Sequence, residues 1–164
     1  MRKEFSEHLY TLMSTNEDIY LLTGYLGFGL FDKIRNDYPT RFYNCGASEQ
    51  AMSDIAVGLA LSGKTPIVYS ITPFLLYRAF ETWRTYVNKE ILHVILVGSG
   101  RDKDYEVDGF SHDASDDYKL FFGDDLGAIL DNIITIWPKD ISDALKALES
   151  AIDSTQPWYI NLKR

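Results

Sequence analysis

The stretch "RFYNCGASEQAMSDIAVGLALSGKTPIVYSI", residues 41 to 71, decides the fold. It opens on "RFYNC" (41–45), a short aromatic and polar run of the kind that forms a strand. Gly46 lets the backbone turn sharply out of that strand. From 48 to 62, Met52, Ile55, Ala56, Leu59 and Ala60 follow the i, i+3, i+4, i+7, i+8 spacing of one buried helical stripe. Gly58 and the small alanines allow close approach to a neighbouring element, and Gly63 supplies a left-handed stop. The β-branched run "PIVYSI" (66–71) then resumes a strand pattern.

The same alternation extends in both directions. Further strands are expected at "IYLLTG" (19–24), "ILHVILVG" (91–98), "NIITIWP" (132–138) and "WYINLK" (158–163). Helical patterns cover roughly 3–14, 27–36, 73–88 and 139–153. The last is well marked: Pro138 precedes it, and Ile141, Ala144, Leu145, Leu148, Ala151 and Ile152 recur at helical spacing. "HVILVG" is apolar on both sides, as a doubly covered parallel strand should be. The expected architecture is a three-layer α/β/α fold around a mostly parallel sheet of about six strands, in a single domain spanning residues 1–164.

Composition narrows the function classes. The 164 residues are 46% apolar and 24% charged, which is globular rather than disordered. Sixteen Lys and Arg against 24 Asp and Glu give a net charge of -8, with no basic cluster for a phosphate backbone, so no nucleic-acid partner is expected. The N-terminal "MRKEFSEHLYTLMS" lacks a continuous apolar core, and "ILHVILVGSG" is too short to cross a bilayer as a helix. No membrane partner is expected. Cys45 is alone, with no companion for a disulfide or at metal-ligand spacing, which fits a cytoplasmic protein.

Two features ask for chemistry. The segment from Ser99 to Gly123, "SGRDKDYEVDGFSHDASDDYKLFFG", is long, polar and irregular, and it follows the strongest strand. Loops beyond the carboxyl ends of parallel strands are where such sheets hold ligands. The second feature is Glu49, an acid placed where strand gives way to an apolar helix. As a first-turn acid it complements the helix dipole, worth about 0.3–1 kcal/mol. A chemical role requires a ligand that bonds to its carboxyl group.

In the order Gly46, Glu49, Gln50, Met52, Ile55, Ala56, Gly58, Ala60, Gly63 and Pro66, the stretch resembles the pyrimidine-binding domain of transketolase-like thiamine diphosphate enzymes. The resemblance runs from about residue 19 to 140. It implies that Glu49 hydrogen-bonds a ring nitrogen of the cofactor's aminopyrimidine, favouring the tautomer that deprotonates the thiazolium carbon. Such an acid is held against an apolar pocket, where desolvation favours its protonated form.

"YSITPFLLYRAFETWR" (69–84) is similar to the family's next landmark, in which an aromatic ring packs on the pyrimidine and a helix carries an arginine. Phe74 is the best match for the ring and Tyr77 the alternative, with Arg78 also at the cofactor; the spacing to Arg78 is one residue longer than in many relatives. The same aromatics serve equally as core or subunit interface. "VDGFSHDASDD" (107–117) resembles an Asp-Gly-x-Thr-His loop, with Ser111 in place of Thr. It implies that His112 assists proton transfer on the substrate and that Asp108 contacts a substrate hydroxyl. The acidic "HDASDD" and the lack of a neighbouring Arg cluster are unlike a site for sugar phosphates. His8 and His93 read as structural.

The family's other half is missing. Its Gly-Asp-Gly motif, with an Asn further on, holds the divalent metal that bridges the diphosphate. Here "GDD" (123–125) has no third Gly, and Asn132 is too close, so no metal site is expected in this chain. The resemblance therefore implies a partner subunit that binds the diphosphate and Mg²⁺, an α2β2 heterotetramer, and self-association of this chain to a homodimer within it. The expected activity is two-carbon ketol transfer. A 2-oxo acid decarboxylase or dehydrogenase subunit and a non-catalytic interaction module that kept the fold are the alternatives. A flavodoxin-like binder is a further one, but the glycines of "GYLGFG" (24–29) make a weak phosphate loop.

Overall fold

The computed structural model describes residues 1–27, 29–123 and 127–164. Six strands form one sheet: β1 (Ile19–Thr23), β2 (Phe42–Asn44), β3 (Thr65–Ile71), β4 (Ile95–Ser99), β5 (Ile134–Ile136) and β6 (Trp158–Leu162). Their order is β2-β1-β3-β4-β6-β5, and every pairing is parallel. Around the sheet lie α1 (Arg2–Thr15), α2 (Asp32–Asp37), α3 (Glu49–Leu61), α4 (Thr72–Arg78), α5 (Phe80–Thr82), α6 (Tyr118–Phe122) and α7 (Ile141–Ile152). This is the α/β/α architecture that the alternation of patterns predicts.

Strand alternation builds two cores. Ile19, Leu21, Ile67, Tyr69, Ile95, Val97, Ile160 and Leu162 point to one face, where Phe5, Leu9 and Met13 of α1, Ile34 of α2 and Leu148 of α7 cover them. Leu22, Val68, Leu96 and Tyr159 point to the other, against Met52 and Ala56 of α3, Leu75 and Leu76 of α4, and Trp83. His8 Nε2 lies 2.8 Å from Glu149 Oε1 and so ties α1 to α7. Among the described residues no helix is long and apolar enough to cross a membrane.

Four local differences from the sequence pattern have physical causes. The helix expected over 27–36 forms only as α2, because Gly27 and Gly29 take left-handed φ angles of 81° and 75° and make a turn there. The pattern over 73–88 splits into α4, α5 and a π-helical stretch, Trp83–Lys89. The buried Trp83 indole donates to the Leu75 carbonyl at 2.7 Å, taking the acceptor that the Ala79 N–H would use in an unbroken helix. The strand expected from 91 starts at Ile95, since Ile91 sits at φ 53° and His93 Nε2 lies 2.9 Å from the Ala151 carbonyl oxygen.

The fourth difference bears on the site. The buried stripe of α3 is Glu49, Met52, Ser53, Ala56 and Val57, whereas Ile55 is 43% exposed. The stripe is rotated by about one residue position from the most apolar choice. Glu49 thereby falls on the face that packs inward.

Candidate functional site

The sheet has a topological switch point between β1 and β3. These strands are neighbours, yet β1 leads to α2 on one face while β3 leads to α4 on the other. The diverging connections open a crevice at the strands' carboxyl ends, the usual ligand position in open α/β sheets.

Glu49 reaches this crevice from β2. The Cys45 N–H donates to the Thr23 carbonyl at 2.9 Å, which fastens the end of β2 to β1. Asn44 Oδ1 then accepts from the Gly46 N–H at 3.0 Å, and Gly46 takes φ 66°, so the chain reverses into α3. Glu49 is the first residue of α3 and only 5% exposed. A second tie holds α3 in register: Gln50 Nε2 donates to Thr82 Oγ1 (2.7 Å) and Asp54 Oδ1 (3.0 Å), and Thr82 Oγ1 donates to Asp54 Oδ1 (2.9 Å).

β3 passes into α4 without a connecting residue. Arg78 Nη1 donates to both Glu49 oxygens, at 3.1 Å to Oε1 and 3.0 Å to Oε2. The Arg78 guanidinium carbon lies 3.6 Å over the Phe74 ring. Phe74 in turn meets the His112 ring edge-on, with centroids 4.8 Å apart. His112 Nδ1 is 3.2 Å from Ser111 Oγ, and its ring is 6.4 Å from that of Tyr105. The Tyr105 hydroxyl accepts from Arg2 Nη1 at 2.8 Å, and the Arg164 guanidinium lies 4.7 Å over the Tyr105 ring. Glu49, Arg78, Phe74, His112, Tyr105 and Arg2 thus form one continuous row.

Two of the sequence candidates stand apart from this row. Tyr77 lines a separate cavity of about 400 Å³ with Asp116, Lys119 and Leu120, where burial and the nearby Asp117 and Asp116 raise its pKa. Asp108 is exposed in a short 3₁₀ turn, Glu106–Asp108, and its N–H donates to the Tyr105 carbonyl at 2.9 Å. Gly109 follows at φ 99°, and a second such turn, Phe110–His112, presents the histidine.

Other residues matter that sequence patterning does not single out. Asp117, 3% exposed, accepts from the Tyr159 hydroxyl (2.8 Å) and from Asn161 Nδ2 (2.6 Å), anchoring the histidine-bearing segment to β6. Burial pushes its carboxyl above the ordinary 3.8, and the two hydrogen bonds draw it partly back. Burial and the adjacent Asp117 likewise push the Tyr159 phenol well above its ordinary value. At the Arg2 end of the row, Arg2, Lys3 and Arg164 line a cavity of about 500 Å³ with Gly27, Gly29 and Leu30. In the sequence these cations are scattered to the two ends.

The donor set suits one half of the cofactor that the resemblance implies. A buried carboxyl beside a half-buried aromatic face matches a flat, nitrogen-bearing ring such as an aminopyrimidine. Among the described residues no group of three or more His, Cys, Asp or Glu could hold a metal ion. In the Gly-Asp-Asp run, Asp124 and Asp125 lie outside the described residues, and so does Phe28 of the early Gly-rich stretch. Asn132 is structural: its Nδ2 donates to the Asn88 carbonyl at 3.2 Å.

Comparison with known proteins gives a consistent picture. The family model described as "Transketolase, pyrimidine binding domain" matches residues 1–164. A putative transketolase C-terminal section from Methanocaldococcus jannaschii is 28% identical over 165 residues, covering 100% of this chain and 50% of that protein. One of the subunits of an apulose-4-phosphate transketolase from Phocaeicola vulgatus is 25% identical over 167 residues, covering 99% of this chain and 51% of that one. A solved structure described as a split gene transketolase, inactive beta4 tetramer, superposes with a TM-score of 0.83 at 26% identity, over 99% of this chain and 51% of that chain. The chain spans about half the length of these relatives.

Proposed function

Because the chain belongs to the transketolase pyrimidine-binding domain family, we propose that residues 1–164 act as one domain, the pyrimidine-binding subunit of a split thiamine diphosphate enzyme that transfers a two-carbon ketol unit. The observation that carries this reading is the contact row from Glu49 through Arg78 and Phe74 to His112. The buried Glu49 carboxyl and the Phe74 ring meet the same Arg78 guanidinium from α3 and α4, and His112 packs against that ring.

When bound, thiamine diphosphate supplies the electron sink for breaking and forming a carbon–carbon bond. In the proposed mechanism, Glu49 shares a proton with a ring nitrogen of the pyrimidine, and α3 keeps its carboxyl out of water. Phe74 orients the flat ring by stacking. His112, half-buried between Phe74 and Tyr105, moves a proton at the substrate oxygen, and Asp108 holds a substrate hydroxyl from the exposed turn. Arg2, with Lys3 and Arg164, receives the substrate's anionic end. A phosphorylated sugar suits that basic cavity, and the Phocaeicola vulgatus relative is named for one.

The diphosphate and Mg²⁺ are assigned to a partner subunit, in an α2β2 assembly built on a homodimer of this chain. Support comes from relatives described as subunits, sections or split-gene products. Cytoplasmic residence is part of the proposal and is supported by the lone, free Cys45.

The test is to co-express the chain with a candidate partner carrying the Gly-Asp-Gly motif. Ketol transfer that needs both chains, thiamine diphosphate and Mg²⁺ is the expected result. A stable, folded pair that binds no thiamine diphosphate in the presence of Mg²⁺ would defeat the reading.

A further inference from the structure

We propose that Arg78 is a latch on the pyrimidine crevice, occupying in the chain by itself both surfaces that the cofactor ring must contact, so that ring binding requires this arginine to swing away. The inference rests on the functional reading above and adds a moving part to it.

Three observations support it. First, a single Arg78 nitrogen satisfies both Glu49 oxygens, at 3.1 and 3.0 Å, leaving no oxygen of that acid without a donor. Second, the guanidinium carbon lies 3.6 Å above the Phe74 ring, the separation at which another flat π group would stack. A guanidinium is planar and carries N–H donors at its rim, so it imitates an aminopyrimidine in both respects. Two planar groups cannot occupy the same face of one phenylalanine.

Third, the arginine has freedom that its partners lack. Its side chain is 46% exposed, against 5% for Glu49, so it has a path outward while the acid is fixed by α3. Arg78 also ends α4, and Ala79 leaves helical geometry at φ −112°, ψ 20°. Phe74 would keep its place on opening, because His112 supports it edge-on.

The ring half of the cofactor, 4-amino-5-hydroxymethyl-2-methylpyrimidine, allows a test on the full chain without any partner. It is titrated into the wild type, Arg78→Ala, Arg78→Lys and Glu49→Gln, with binding followed by calorimetry and folding checked by circular dichroism. Arg78→Ala should bind the probe at least about tenfold more tightly than the wild type. Arg78→Lys should fall between them, since an ammonium can reach Glu49 but cannot lie flat on Phe74. If Arg78→Ala does not fold, the lysine variant carries the test, with several-fold tighter binding expected. The gain should vanish when Glu49→Gln is added. Equal or weaker binding by the arginine variants overturns the latch while leaving the functional reading standing, provided that Glu49→Gln alone weakens binding. If the probe binds none of the four chains, the latch is overturned, while the functional reading stands or falls with thiamine diphosphate binding by the reconstituted pair.

Discussion

Glu49 and Arg78 meet at the switch point of the sheet, both carboxyl oxygens within 3.1 Å of one guanidinium nitrogen. The acid comes from the end of β2 by way of α3, and the base from the last turn of α4. Replacing Glu49 by Gln keeps the size of the side chain and removes its ability to hold and release a proton. The fold and the assembly with a partner should survive, while turnover with thiamine diphosphate drops by about 10²–10⁴. Unchanged kcat in a steady-state assay would remove Glu49 from the chemistry.

Phe74 and Tyr77 can be told apart by affinity. Phe74→Ala removes the ring that carries the Arg78 guanidinium and should weaken cofactor binding by about tenfold, the scale of one aromatic contact. Tyr77→Ala should leave it within about twofold, because Tyr77 lines the cavity beside Asp116 and Lys119. Titration of thiamine diphosphate into the reconstituted pair reads both, and the opposite ranking would move the stacking role to Tyr77.

Gly98 is needed for clearance where β4 ends. A Cβ there would lie 2.5 Å from Thr72 Oγ1 and 2.9 Å from the Tyr159 hydroxyl, both on fully buried residues. Gly98→Ala should therefore cost about 1–3 kcal/mol of stability, the usual range for overpacking. Chemical denaturation measures this directly, and a variant as stable as the wild type would show that Thr72 can give way.

Asp117 should make part of the stability pH-dependent. Its folded pKa is raised above 3.8, chiefly by burial, so the favourable state is the neutral carboxyl. That contribution is complete below 3.8 and is lost as pH rises through the raised folded value. Asparagine does not titrate. Between pH 3.5 and neutrality, thermal melts should therefore shift steadily in favour of Asp117→Asn relative to the wild type. A gap that widens in favour of the wild type would mean that the hydrogen bonds from Tyr159 and Asn161 outweigh the desolvation.

The sheet was legible because its strands are short apolar runs bounded by Gly, Pro or polar residues, with helices of clear period between them. The rotation of α3 was not. Ile55 and Leu59 are more apolar than Ser53 and Val57, yet Ser53 and Val57 belong to the stripe facing the sheet. Packing geometry chose the face, and the burial of Glu49 follows from that choice. The break after Arg78 depends on the Trp83 indole reaching the Leu75 carbonyl, a contact that no local pattern announces. Asp117 looks like any acid in a polar segment until Tyr159 and Asn161 arrive from β6. Arg2 is invisible as a site residue in sequence, since 103 positions separate it from Tyr105. The roles given to Glu49, Phe74, Arg78, Asp108 and His112 come from the resemblance. What folding adds is the row that joins Glu49, Arg78, Phe74 and His112.

The direct passage of β3 into α4 has an evolutionary consequence. Phe74 and Arg78 inherit their positions from a central strand, and Glu49 hangs from β2 through its bond to β1. His112 and Asp108, by contrast, ride on the irregular stretch between β4 and α6. Mutation can therefore remodel the irregular stretch while Glu49 and Phe74 stay in gauge. Under the proposed function, a lineage built on this scaffold could change its substrate without relearning how to seat a cofactor ring.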